Sequence, residues 1–110
     1  MTEREDRVVG WVSGGNSRDS DVPGAAEVYA VYVEPGFWRQ GVGRELMGAI
    51  EGRLPAFADV TLWVLDQNQR AIDFYWEMGY ELDGGRKTDQ IAGVAIAEVR
   101  LRKKQDKREA

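Results

Sequence analysis

A proline-glycine break followed by a Gly-x-Gly turn, set between an apolar strand and an amphipathic run, constrains this chain more than any other feature. The stretch runs from Glu27 to Leu46, EVYAVYVEPGFWRQGVGREL. Pro35 cannot donate to a strand ladder and so ends the strand. Gly41 and Gly43 lack a Cβ and can take backbone angles closed to other residues. Past them Val42, Leu46, Ile50 and Leu54 recur four apart, with Met47 and Ala49 widening the stripe, which predicts a helix from Gly41 to Leu54 stopped by Pro55. The amides of Trp38 to Arg44 would point out of the first helical turn, where unpaired N–H groups and the helix dipole favour an anion. Arg39 and Arg44 add charge. A Walker A loop is absent, and the dinucleotide fingerprint fails because Leu46 stands where it needs a third glycine. By itself the turn reads either as a phosphate cradle or as a tight turn that packs the helix on the sheet.

The flanking segments supply the sheet. Arg7 to Val12 has the β-branched and aromatic content of a strand, and the turn-rich SGGNSRDSDVPG after it predicts a hairpin into Ala26–Val33. That strand is apolar on both faces, which predicts a central position covered on both sides. Val60 to Leu65, VTLWVL, reads as a buried strand reached by a helical crossover and paired in parallel at its start. Asn68 is a candidate N-cap for a second helix that Gly79 ends. Tyr80 to Leu82 begins a strand, Asp83-Gly84-Gly85 reads as a turn, and Val94 to Leu101 alternates as a closing antiparallel strand. The fold class is therefore α/β, a mixed sheet flanked by helices in one domain over residues 1–110, with 1–6 and 103–110 expected to be flexible.

Composition narrows the chemistry. The net charge of -4 lacks the basic surplus of a nucleic-acid or anionic-membrane binder. No apolar run approaches the roughly 20 residues of a membrane span, and MTEREDR is no signal peptide, so a cytoplasmic location is expected. With no cysteine and no histidine, thiolate nucleophiles, Ser-His-Asp triads and Cys- or His-based metal sites are excluded, and no metal is expected. Acid–base work falls to carboxylates, Tyr, Lys or the substrate.

A second motif follows in Asn68 to Tyr80, NQRAIDFYWEMGY, a short capped helix with adjacent aromatics closed by Gly-Tyr. Alone, Phe74 and Tyr75 read as core aromatics. In order, a Val-Tyr-Val-x-Pro strand end, a Gly-x-Gly helix start, an L-W-V-L strand and N-x-x-A-x-x-F-Y-x-x-x-G-Y resemble the GNAT superfamily of acetyl-coenzyme A dependent N-acetyltransferases, over about Arg7 to Arg102. The resemblance implies acetyl transfer from acetyl-coenzyme A to a primary amine of a small molecule or protein. It places the cofactor pyrophosphate on the backbone of Trp38, Arg39, Gln40, Gly41, Val42, Gly43 and Arg44. It sets the pantetheine arm along Val31, Tyr32 and Val33, with Asn68 contacting that arm. It assigns Tyr75 to the thioester sulfur and Glu27 to the general base, against the alternative of Glu27 as a strand-edge charge.

Departures from the family pattern are specific. Trp38 stands where Arg or Gln is common. Trp63 stands where the ribosomal-protein Nα-acetylating branch has a glutamate. The usual N-terminal strand, helices and further strand before Arg7 are absent, so the fold is expected to be minimal, completed by a partner, or part of a longer chain. Two rival readings go with this: a coenzyme A binding module without transferase activity, and a structural subunit whose four tryptophans seek a partner, including a second copy in a homodimer.

Overall fold

The computed structural model describes residues 2–4, 7–56 and 58–104. Its strands are β1 (Thr2–Arg4), β2 (Arg7–Asn16), β3 (Ala26–Val33), β4 (Val60–Leu65), β5 (Glu81–Ile91) and β6 (Val94–Lys103), and its helices are α1 (Val42–Arg53) and α2 (Gln69–Glu77). The strands form one sheet in the order β1-β2-β3-β4-β6-β5, antiparallel except for the β3–β4 pair. The expected mixed α/β sheet with flanking helices is the fold that forms.

Both helices lie on the same face. Met47 of α1, Ala71, Ile72, Phe74 and Tyr75 of α2, and Met78 at the α2 C-cap pack on Val28, Val60, Leu62, Val64, Val99 and Leu101, while Val42 and Leu46 of α1 close a second cluster with Val9. Glycines seat α1 against β2. A Cβ on Gly10 would come within 3.0 Å of Leu46, and one on Gly14 within 3.1 Å of Ile50. This is why β2 runs on through Ser13-Gly14-Gly15-Asn16, where turn chemistry predicted an earlier end.

The other face carries no helix among the described residues. Tyr32 and Trp11 are both half-exposed there, their rings stacked at 6.2 Å. β3 is thus central in strand order, as expected, but is not covered on both sides along its length. A further difference lies in β5, where Asp83-Gly84-Gly85 forms a bulge in place of a turn. The register passes from Leu82↔Leu101 to Arg86↔Val99, and the space the bulge opens is filled by Arg100. Where loose ends were expected, Thr2–Arg4 instead pairs with β2, and Lys103 ends β6 with its Nζ 3.3 Å from Glu51 Oε1. Met1, Glu5, Asp6 and residues 105–110 lie outside the described residues.

Tyr80 anchors the end of α2 to α1. It is fully buried, and its hydroxyl donates to Glu51 Oε2. Burial first, then the Glu51 carboxylate, raise its pKa far above the ordinary value near 10. The folded state therefore holds this proton more tightly than the unfolded chain. The stability it contributes is fully present below about pH 10 and is lost as the pH rises through the folded value. Thermal unfolding is expected to show a flat midpoint up to about pH 9 and a falling one above about pH 10. Tyr80→Phe should flatten that alkaline limb, and an unchanged limb in the variant would assign it to another group.

Candidate functional site

The site begins with a failure of pairing. β3 and β4 pair only at Ala26↔Val60 and Glu27↔Thr61. Immediately beyond, the β2–β3 register shifts, with Ala30 opposite Ser13 but Val28 opposite Gly14, so that Tyr29 is an extra residue in β3. A bulge bends its strand and increases the local twist, which carries β3 away from β4. The backbone of Val31 to Val33 is left facing a wedge with no strand beside it.

The N-terminus of α1 closes one side of this wedge. Gly41, the N-cap, has φ 84°, a left-handed conformation that costs a residue with a Cβ about 1–2 kcal/mol. The first helical bond runs from Glu45 N–H to Gly41 C=O, and no side chain caps the helix. The amides of Val42, Gly43 and Arg44 precede that bond and are open to a ligand. Trp38 donates its Nε1–H to Val33 C=O at 2.8 Å, tying the turn to the strand end. This explains how tryptophan serves where the family pattern favours a polar residue.

α2 closes the other side. Asn68 Oδ1 accepts from Ala71 N–H at 3.1 Å, the predicted cap, so what its side chain can offer a ligand is the NH2 end. Tyr75 packs edge-on against Phe74 and Tyr80, with centroids 5.2 and 5.9 Å away. Burial pushes the Tyr75 hydroxyl pKa up, so it stays protonated through the neutral range. Helix–helix approach is close at Gly43, where a Cβ would lie 3.2 Å from Phe74 Cζ.

Between these walls lies a cavity of about 540 Å³, within the range of small-molecule sites. Nine predicted residues line it: Val31, Val33, Trp38, Arg39, Gly41, Gly43, Arg44, Asn68 and Tyr75. Arg70, Ala71 and Phe74 line it too and were not foreseen. Ala71 and Phe74 share the helix face of Asn68 and Tyr75, a spacing legible in the sequence. Arg70 reaches the site by stacking on Trp38, 4.0 Å above the ring, and no local signal announces that. The lining holds three arginines and no carboxylate. Arg44 is partly offset by Glu77 at 3.7 Å, an exposed pair of small energy.

Four predicted residues fall outside the lining. Val42 is buried beside Val9 and Leu46, leaving only its backbone N–H for a ligand. Gln40 donates to Gly36 C=O and is exposed. Tyr32 turns to the helix-free face. Glu27 is on that face as well, paired across β2 with Gly15, and is 2% exposed. Its Oε1 accepts from Arg18 N–H at 2.9 Å and its Oε2 from Arg18 Nη2 at 3.1 Å.

The sequence model of the family described as "Acetyltransferase (GNAT) family" matches residues 1–80. An uncharacterised N-acetyltransferase of Methanocaldococcus jannaschii is 34% identical over 73 residues, 64% of this chain and 30% of that protein. The crystal structure of Chaetomium thermophilum Naa20 in complex with a bisubstrate analogue superposes with a TM-score of 0.79 at 26% identity, over 96% of this chain and 64% of that one. The structure of yncA from Salmonella typhimurium with its cofactor acetyl-CoA gives a TM-score of 0.74 at 18% identity, over 98% of this chain and 64% of that one, a likeness of fold. The chain thus spans about a third of the curated relative and under two thirds of these two structures.

Proposed function

Since the chain belongs to the acetyltransferase (GNAT) family, we propose that the wedge between β3 and β4 binds acetyl-coenzyme A and that the protein transfers its acetyl group to a primary amine of a small molecule or protein. One observation carries this reading: an uncapped helix N-terminus, an unpaired strand edge and three arginines converge on a cavity whose lining has no carboxylate. An anionic, elongated ligand fits that set. Open amides of Val42 to Arg44 suit a pyrophosphate, and the free edge of Val31 to Val33 suits an amide-bearing arm that adds as a strand would. The Naa20 structure carries a bisubstrate analogue, which supports one site that holds donor and acceptor together.

When bound, the cofactor supplies an activated thioester. The chain supplies the proton traffic around it. An alkylamine is protonated at neutral pH, with a pKa of about 10, and must lose a proton before it attacks. Glu27 accepts that proton, directly or through a water, before the acceptor nitrogen bonds to the acyl carbon and the carbon–sulfur bond breaks. Tyr75, held protonated by burial, donates its hydroxyl proton to the departing sulfur and is reprotonated by the second proton, which the acylated nitrogen sheds. Backbone amides of Val31 to Val33 steady the acyl oxygen.

A second reading has its own support. Glu27 is buried and engaged by Arg18, which favours a coenzyme A binding module without transferase activity. No helix among the described residues is long and apolar enough to cross a membrane, and a cytoplasmic setting is part of the proposal. Isothermal titration separates binding from its absence, since no heat at millimolar acetyl-coenzyme A sinks both readings. A thiol-release assay over a panel of amines then separates enzyme from module. Glu27→Gln and Tyr75→Phe are each expected to lower kcat by about a hundredfold, with cofactor affinity retained. Unchanged turnover in both variants would overturn the catalytic roles and leave the cofactor site standing.

A further inference from the structure

The segment between β2 and β3 crosses the helix-free face of the sheet, and it delivers a cation to Glu27. Arg18 is 64% exposed, yet its backbone N–H and its Nη2 engage the two oxygens of a carboxylate that is 2% exposed. The guanidinium also lies 4.1 Å from the centroid of the Tyr29 ring, whose hydroxyl is fixed on Asn16 C=O. A carboxylate oxygen and an aromatic face together make a seat for a cation. The seat is built from the sheet, whereas its occupant is a side chain that lies mostly in solvent.

The segment does not depend on Arg18 for its position. Ser17 N–H donates to Ala25 C=O, Asp19 accepts from Trp63 Nε1 at 2.9 Å, and Asp19 and Asp21 both bind Arg100. Removing the Arg18 side chain therefore opens the seat without releasing the strap. The backbone N–H of Arg18 would still hold Glu27 Oε1, which keeps the carboxylate aimed. An ion pair with one partner largely in solvent is weak enough for a ligand to displace.

From this geometry we infer that Arg18 occupies the place of the acceptor's cationic group, as a built-in plug that an alkylammonium must displace to reach Glu27 and Tyr29. The inference rests on the reading of Glu27 as the acceptor-side base. It adds a second wall, Tyr29, and a self-competitor that sets the apparent affinity for the acceptor. Where a competent state is only fractionally populated, apparent affinity falls by that fraction.

Cadaverine serves as the probe, titrated calorimetrically into the whole protein with and without coenzyme A. Arg18→Gln should bind it about tenfold more tightly than the unsubstituted protein, as expected if the plug is seated about nine-tenths of the time. Adding Glu27→Gln should abolish the gain, and Arg18→Lys should restore the original affinity. No tightening, a gain that survives Glu27→Gln, or no cadaverine binding to Arg18→Gln would each overturn the inference. So would a lower melting temperature in Arg18→Gln with no change in affinity, the mark of a purely structural pair. On the unsubstituted protein, the Arg18 side-chain Nε–H resonance should shift as cadaverine is added, and a fixed resonance would overturn the inference even if the variant failed to fold. Acetyl-coenzyme A affinity, measured alongside, reports the cofactor site separately. Its absence together with cadaverine tightening would sink the transferase reading and leave the seat.

Discussion

Arg100→Met is expected to lower the free energy of unfolding by about 3–5 kcal/mol, the cost of breaking a buried ion network from one side. Arg100 is 5% exposed, and its guanidinium binds three carboxylates: Asp83 Oδ2 at 2.7 Å, Asp19 Oδ2 at 3.2 Å and Asp21 at 2.9 and 2.8 Å. These bonds hold the Arg100 guanidinium charged, and they hold the Asp21 carboxyl below its ordinary range. The loss falls mainly on Asp83 and Asp19, which are largely buried, whereas Asp21 is mostly in solvent and contributes little. Removing the cation would leave carboxylates facing one another beside Trp63, in a bulge of β5 shaped around the missing side chain. Urea unfolding checks this, and a loss under about 1 kcal/mol would mean that the carboxylates relax into water. The sign with pH also follows. A carboxyl with a depressed folded pKa stabilises above its unfolded pKa near 4 and loses that contribution as the pH falls through the folded value. Asp21 is the carboxyl so depressed, and it is largely in solvent, so the acid limb of stability should be only slightly shallower in the variant.

Gly43→Val should weaken acetyl-coenzyme A binding by about a hundredfold or more, close to 2.8 kcal/mol. Gly43 is the second residue of α1, its N–H is among the open amides, and a Cβ there would already stand 3.2 Å from Phe74 and 3.8 Å from Val33. Two further methyl groups would fill the wedge between the helices. Such overpacking costs about 1–3 kcal/mol of stability, so folding is checked by thermal melting alongside calorimetric titration. Gly48→Ala is the control, because nothing lies within 4 Å of a Cβ at that position of the same helix. It should leave affinity alone and raise stability by up to about 1 kcal/mol through helix propensity. Affinity within threefold of the unsubstituted protein in Gly43→Val would place the cofactor elsewhere.

What could be read in advance was whatever short-range chemistry writes. Ala26–Val33 and Val60–Leu65 form strands with the expected ends, because β-branched runs bounded by Pro35, Asp59 and Asp66 say where pairing starts and stops. Both helices and the Asn68 cap were equally legible. Glycine was the ambiguous letter. Gly14, Gly15, Gly84 and Gly85 were read as turns, yet they lie within strands; a Cβ on Gly14, Gly15 or Gly85 would strike Ile50, Tyr29 or Arg100, while Gly84 has open space around it and is set apart by its φ of 93°. A missing side chain marks either a turn or a close approach, and the approaching partner is set by the fold.

The site divides along the same line. By itself the sequence determined the two halves of the cofactor wedge, a Gly-x-Gly helix start and an Asn-capped aromatic helix, since each is a local arrangement of backbone angles and caps. Tertiary structure alone decided that a bulge at Tyr29 opens β3 from β4, that Arg70 joins the wedge through Trp38, and that Arg18 sits on Glu27. Strand divergence and the pairing of charges depend on which surfaces meet after the chain has folded back on itself, and no run of neighbouring residues encodes that meeting.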